Sequence, residues 1–367
     1  MQFTVSREAL LGPLTLVAGA VEKRSTLPIL SNILISIENQ RCTLTGTDTE
    51  VELIGSLSLE HAAINGQMTV PARKLVDICR SLPEKAEIQF SHENQRLTIK
   101  SGRARFNLAT LPAQDFPHIE TQVPDQEICV SNAQFQNLLK KTYFAMAVED
   151  VRYFLNGALL DINEGEIKVV ATDGHRLALS PVLKTESAAS TQVIIPRKTV
   201  QEMMRLFQKE DETLTLYIGN HYLKMTTGDA TLVSKLIDAR YPDYRKVIPR
   251  PSDKYLLIDK DQFQQALTSI AVVTSEKQRG VRVQIRPQIL KLLARNTEQE
   301  EAEQELNVFE QTGEELDIGF NVNYLLDALN AIDDLQVKMT FSDSNNGVIL
   351  ENPEAKGGRY VVMPMRL

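Results

Sequence analysis

Apolar residues recur at helical spacing in three segments set 125 residues apart. In "TVPARKLVDICRSL" (69–82) they are Leu75, Ile78, Cys79 and Leu82; in "IIPRKTVQEMMRLF" (194–207) they are Val200, Met203, Met204 and Phe207; in "GFNVNYLLDALNAI" (319–332) they are Leu325, Ala328, Leu329 and Ile332. Spacing of i, i+3, i+4, i+7 lays each set on one helical face. Pro71 and Pro196 fit the first turn of their helices, where a missing N–H is not needed. Around these segments the pattern changes to alternation, as in "AEIQFSHENQRLTIKSGRARFNLATL" and "TLTLYIGNHYLKMTTGDATLVSKL", which predicts hairpin strands covered on one face. A second helix opens each copy, in "SREALLGPLTLVAGAV", "SNAQFQNLLKKTYFAMA" and "DKDQFQQALTSIAVV". The expected class is α+β: three repeated domains, 1–125, 126–252 and 253–367, each with two helices packed on antiparallel sheet.

The repeat bears on the candidate chemistry. The stretch "ATDGHRLALS" (171–180) pairs Asp173 with His175, the residue types of an acid/base couple in a hydrolase. The offset of 125 aligns Asp173 with Asp48 and Glu298, and His175 with Glu50 and Glu300. An acidic turn therefore belongs to the repeat, also where no histidine accompanies it, and no nucleophile with an orienting group lies nearby.

The same offset aligns exposed cations. Arg73 and Arg80 lie two helical turns apart, off the apolar stripe; Lys198 and Arg205 fall at the matching places, with Arg197 beside them, and Asn323 and Asn330 in the third copy. Single charges on a helix are usually a solvated face. Recurrence at matching positions suggests phosphate, and Arg24, Lys140 and Lys141 add to it.

Composition narrows the classes. The 367 residues are 43% apolar and 24% charged, as expected of a globular protein, with no leader pattern and no apolar run of membrane-spanning length. We expect a cytoplasmic protein. Three dispersed cysteines and five dispersed histidines give no disulfide framework and no zinc spacing, and the phosphate-loop, dinucleotide and nucleophile-elbow motifs do not occur. The net charge of -8 argues against an open electrostatic DNA binder. Acidity concentrates at the end: residues 253–367 carry 12 Lys and Arg against 19 Asp and Glu.

The segments "FTVSREALL", "TLPILSN", "TGTD", "VPARK", "VRYFLNG", "ATDGHRLALS", "IPRK", "ARYPDYRKV", "EKQRGVR" and "YVVMPMRL" occur in the order found in the beta subunits of bacterial DNA polymerase III, the sliding clamps, and the chain resembles that family over its whole length. The resemblance implies a homodimer closed head to tail into a ring of six domains, without cofactor or metal, that encircles double-stranded DNA irrespective of sequence and is not itself an enzyme. A dozen helices about 9 Å apart close a circle about 35 Å across, wide enough for a duplex. DNA-contacting positions of the family fall on Arg24, Arg73 and Tyr153; a family glutamine is Glu149 here, which repels phosphate, and a second tyrosine is Phe154, which keeps only a stacking face.

The resemblance further implies a pocket for short peptides from the polymerase III alpha subunit, the clamp loader, other polymerases and mismatch-repair proteins. Its residues fall on Leu155, Thr172, Gly174, His175, Arg176, Leu177, Pro242, Val247, Val361, Val362, Met363, Pro364, Met365 and Arg366. Gly347 stands where the family usually has serine, an expected loosening of one wall. For the contact between subunits, basic Arg96, Lys100, Arg103 and Arg105 in the first domain complement acidic Glu298, Glu300, Glu301, Glu303 and Glu305 in the third. Lys74 adds to the basic side, and Phe106, Leu108, Val272 and Val273 supply apolar surface. Competing readings are the hydrolase and a sequence-specific DNA-binding regulator.

Overall fold

The computed structural model describes residues 1–21, 27–186, 190–206, 211–275 and 279–366. Among these, six α-helices form: α1 (Arg7–Ala18), α2 (Ala72–Ser81), α3 (Asn132–Lys140), α4 (Arg197–Leu206), α5 (Lys260–Ala271) and α6 (Val322–Ala331). Helices α2, α4 and α6 begin 125 residues apart, and the stripe that defined them is buried: Leu75, Cys79, Val200, Met203, Leu325 and Leu329 are all inaccessible. Phe207 lies outside the described residues.

Two expectations shift at helix ends. Pro71 and Pro196 are the last residues of strands Gly66–Pro71 and Thr191–Pro196, one position ahead of the first turn. At φ -56° and ψ 111°, Pro71 ends the strand as N-cap without a side-chain bond. Elsewhere side chains supply the cap: Ser6, Asp259 and Asn321 accept from the N–H of Ala9, Gln262 and Asn323. Helix α3 stops at Lys140, short of the segment expected through Ala147. The Thr142 hydroxyl donates back to Leu138 O, and a 3-10 turn over Tyr143–Ala145 redirects the chain.

Packing divides the chain into two compact units. One comprises Met1–Ala133 and Glu202–Leu236 and holds a four-stranded and an eight-stranded sheet. Its eight-stranded sheet is continuous because strand Val51–Ser58 pairs antiparallel with strand Ala230–Lys235, with Leu53 opposite Leu232. The other unit comprises Gln134–Gln201 and Ile237–Leu367 and holds a ten-stranded and a four-stranded sheet. There strand Arg176–Leu179 pairs with strand Arg359–Val362, with Leu177 opposite Val361. Each large sheet thus recruits strands from two consecutive repeats, which is why three repeats pack as two units. In the first unit α1 packs on α2, and in the second α5 packs on α6.

Candidate peptide pocket, helix faces and open sheet edges

Asp173 Oδ1 accepts from the backbone N–H of His175 (2.9 Å) and Arg176 (3.0 Å), and Oδ2 from Arg176 Nε (3.1 Å). Asp48 makes the matching pair with the N–H of Glu50 and Val51, at 2.9 and 2.7 Å. The third copy departs: Glu298 does not close the turn, and Asn296 Oδ1 accepts from the N–H of Glu298 and Glu300 instead. Aspartate and asparagine have the reach for this short ring. With its oxygens committed to the turn, Asp173 is structural, and the hydrolase reading loses its acid.

Around that turn the second unit builds an apolar basin. Leu155, Leu177, Tyr241, Tyr244, Ile349 and Val361 form a buried cluster, and Phe154, Ile248 and Met363 lie half-buried against it. His175 and Gly174 are exposed at the rim, as are Pro242 and Val247. The tail crosses the rim through Met363 N–H to His175 O (2.9 Å), and Met363, Pro364 and Met365 remain half-exposed. Thr172, Val362 and Leu177 are buried, and Arg366 is exposed. The arrangement offers apolar floor, deformable sulfur and polar edge to a chain segment.

Three positions gain detail from the structure. Arg176, placed in the pocket by the resemblance, pairs with Asp327, donates to Phe144 O (2.7 Å) and lies over the rings of Phe144 and Tyr324. Phe154 packs on the basin rather than offering a free stacking face. Gly347 does not loosen its wall, because a Cβ there would meet Met363 Sδ at 2.9 Å and Val361 Cγ1 at 3.0 Å; the methionine fills the space.

A buried acid that no sequence pattern marks holds this basin. Buried Asp161 accepts from Tyr244 Oη (2.8 Å) and Gln192 Nε2 (3.0 Å), with Arg245 Nη2 at 3.6 Å. Burial and the neighbouring carboxylate push the Tyr244 hydroxyl up to about 12, so it stays a donor. The bond anchors the turn Tyr244–Lys246 between Pro242 and Val247. Two tyrosines within "ARYPDYRKV" were the available signal. The loop ahead of Tyr153 is held as well: Asp150 bonds Arg152 at 2.8 and 3.0 Å and is drawn down to about 2, while Asn156 exchanges two bonds with the Asp150 backbone. Tyr153 is 57% exposed, and Glu149 is exposed at φ +53°.

On the helix faces, Arg73, Lys74 and Arg80 on α2 and Lys198 on α4 are exposed, as are Asn323 and Asn330 on α6. Arg205 is exposed as well, and several of these cations have partners within the chain. Arg205 pairs with Glu202 at 2.6 Å and lies against Gly19 beyond the end of α1, where a side-chain Cβ would fall 1.9 Å from its Nη2. Arg197 is half-buried and donates to Met146 O (2.9 Å). Lys140 is exposed, but Lys141 is buried, bonded to Asp333 and to Ala331 O, and so unavailable to phosphate. Arg24 lies outside the described residues.

Both four-stranded sheets end in an open edge among the described strands: Ala104–Ala109 in the first unit and Glu301–Asn307 in the second. Arg96, Lys100, Arg103 and Arg105 are exposed at the first, with Phe106 and Leu108 half-exposed. At the second, a groove of about 540 Å³ is lined by Ser275, Arg282, Leu293, Glu301 and Glu303 among others; just past the end of α5, Val272 is 84% exposed and Val273 half-exposed. The acidic run is partly compensated within the chain, since Glu301 pairs with Arg295 (3.3 Å) and Glu303 and Glu305 with Lys291. Counting Glu298 and Glu300, five carboxylates stand against the three cations Arg282, Lys291 and Arg295, so a negative surplus remains.

Six helices on antiparallel sheets shared between consecutive repeats, among the described residues, make up the fold class of the sliding clamps. Family models for the DNA polymerase III beta subunit match in sequence: its N-terminal domain over residues 1–120, central domain over 129–243 and C-terminal domain over 245–366. Beta sliding clamps of Pseudomonas aeruginosa and Escherichia coli K12 are 48% and 45% identical, each over 100% of both chains. A crystal structure of the DNA polymerase III subunit beta from Pseudomonas aeruginosa superposes with a TM-score of 0.97 over 100% of both chains, at 48% identity. The chain belongs to the DNA polymerase III beta subunit family.

Proposed function

We propose that the chain is a DNA sliding clamp: two copies close head to tail into a ring around duplex DNA and tether the replicative polymerase, the chain itself performing no catalysis. Full-length likeness to beta sliding clamps carries this reading. In it, the thirds 1–125, 126–252 and 253–367 are the three domains of each half-ring. Topology holds the ring on DNA, so phosphate contacts need only be weak and sequence-independent. Exposed Arg73, Arg80, Lys198 and Tyr153 suit that task, while Arg197 and Arg205 chiefly hold the fold.

Subunits meet where edge strand Ala104–Ala109 continues edge strand Glu301–Asn307 of another copy, with Phe106, Leu108, Val272 and Val273 buried on closure and the charge surplus selecting the head-to-tail partner. The basin under His175 takes short apolar-anchored peptides of the alpha subunit, the clamp loader and repair proteins, one at a time. Such a protein works in the cytoplasm, at the nucleoid. Primer extension on a long primed circle, with polymerase III and a clamp loader, tests the reading: addition of the chain lengthens the products of single binding events, and unchanged lengths contradict it.

A further inference from the structure

Asn-Gly occurs three times, at 65–66, 156–157 and 346–347. Asparagine followed by glycine is the dipeptide most open to attack of the next backbone nitrogen on the side-chain amide, because glycine places no Cβ in the path. The three sites differ in how firmly their backbone is held. Gly66 and Gly157 each begin a strand, in register with Ile37 and Pro196. Both polar atoms of the Asn156 amide are also engaged with the Asp150 backbone. Gly347 lies ahead of strand Val348–Glu351, outside the ladder, and Asn346 is exposed in the bend before it. Asp343 lies under Asn346, accepting from its N–H (3.1 Å) and its Nδ2 (2.7 Å).

We propose that Asn346 is a self-modification site that converts to aspartate and isoaspartate as the protein ages, loosening one wall of the basin. The Gly347 nitrogen, deprotonated by solvent hydroxide, attacks Asn346 Cγ. A C–N bond forms, the Cγ–Nδ2 bond breaks, and ammonia leaves after taking a proton from water. Water then opens the cyclic imide at either carbonyl. The net reaction is amide plus water to carboxylate plus ammonium, with nothing oxidised or reduced. Asp343 stays ionised, since its donors hold its carboxyl below the usual range, and the departing nitrogen therefore leaves beside a negative charge. The product then places a second carboxylate where Nδ2 donated, and the two repel. Gly347 packs against Met363 and Val361, so the strain reaches the wall directly.

The chemistry is independent of the docking reading; its effect on binding rests on that reading. The full chain is held at physiological temperature and mildly alkaline pH, and peptide mass mapping scores all three sites over time. Conversion at Asn346 is expected several-fold faster than at Asn65, slowest at Asn156, and strongly slowed at position 346 by Gly347→Ala. Conversion at Asn346 no faster than at Asn65 overturns the proposal. In parallel, Asn346→Asp is expected to weaken several-fold the binding of a labelled short apolar-anchored peptide of the polymerase III alpha subunit, and unchanged affinity overturns the link to the basin. A parent chain that fails to bind the peptide sinks the docking reading while leaving the mass result to stand or fall by itself.

Discussion

Arg176 and His175 are neighbours with opposite duties. The guanidinium, with 13% of its side chain exposed, satisfies two carboxylates, a carbonyl and two rings, so Arg176→Ala should cost about 3 kcal/mol in denaturant unfolding, much of it from abandoned partners. Exposed His175 stacks on Tyr324 at 6.3 Å, and His175→Ala should stay within about 0.5 kcal/mol of the parent while weakening peptide binding. Glu52 gives a pH signature. Burial pushes its carboxyl above the usual range, against the opposing pull of His118 Nδ1 and Ile119 N–H, each at 3.2 Å. Because the folded value is raised, its favourable contribution is full below the ordinary carboxylate range and is lost as pH rises through the folded value. Glu52→Gln should therefore gain in Tm relative to the parent at pH 8 compared with pH 4; an equal difference at both would contradict this. The turn role of Asp173 was readable from its aligned copy Asp48. Asp161 was not, because a buried acid inside an apolar strand has no local signature and finds Tyr244 and Gln192 only after folding.

Helices and hairpins were legible because their pattern is local: α2, α4 and α6 fall on the expected stripe, and both quoted alternating runs form three-stranded meanders. What a local pattern does not give is the partners that charges on those elements find. Arg205 matches Arg80 by position, yet a glycine beyond α1 and a glutamate one turn earlier capture it. The prediction separates the two: Arg80→Ala should weaken linear-duplex binding equally on any sequence and make log K against log salt shallower by about 0.9 if one phosphate contact is lost. Arg205→Ala should chiefly lower Tm. The open edges make a second element-scale prediction. Leu108→Asp places a charge in the apolar strip of strand Ala104–Ala109, and sedimentation should show monomers where the parent is dimeric, without loss of folded signal.

At the scale of the molecule, a repeat of 125 residues packs as two units because each large sheet borrows strands from neighbouring repeats, a joining that periodicity cannot reveal. The repeat itself, and with it the family, was visible throughout. Enclosure of DNA, rather than affinity for it, is the central claim for a chain of net charge -8. Its most direct test is retention after loading onto a nicked circular duplex by a clamp loader, followed by gel filtration before and after a single restriction cut. Protein should stay with the intact circle at elevated salt and run off once the circle is linear. Equal retention on both forms, or prompt loss from the circle, would contradict enclosure.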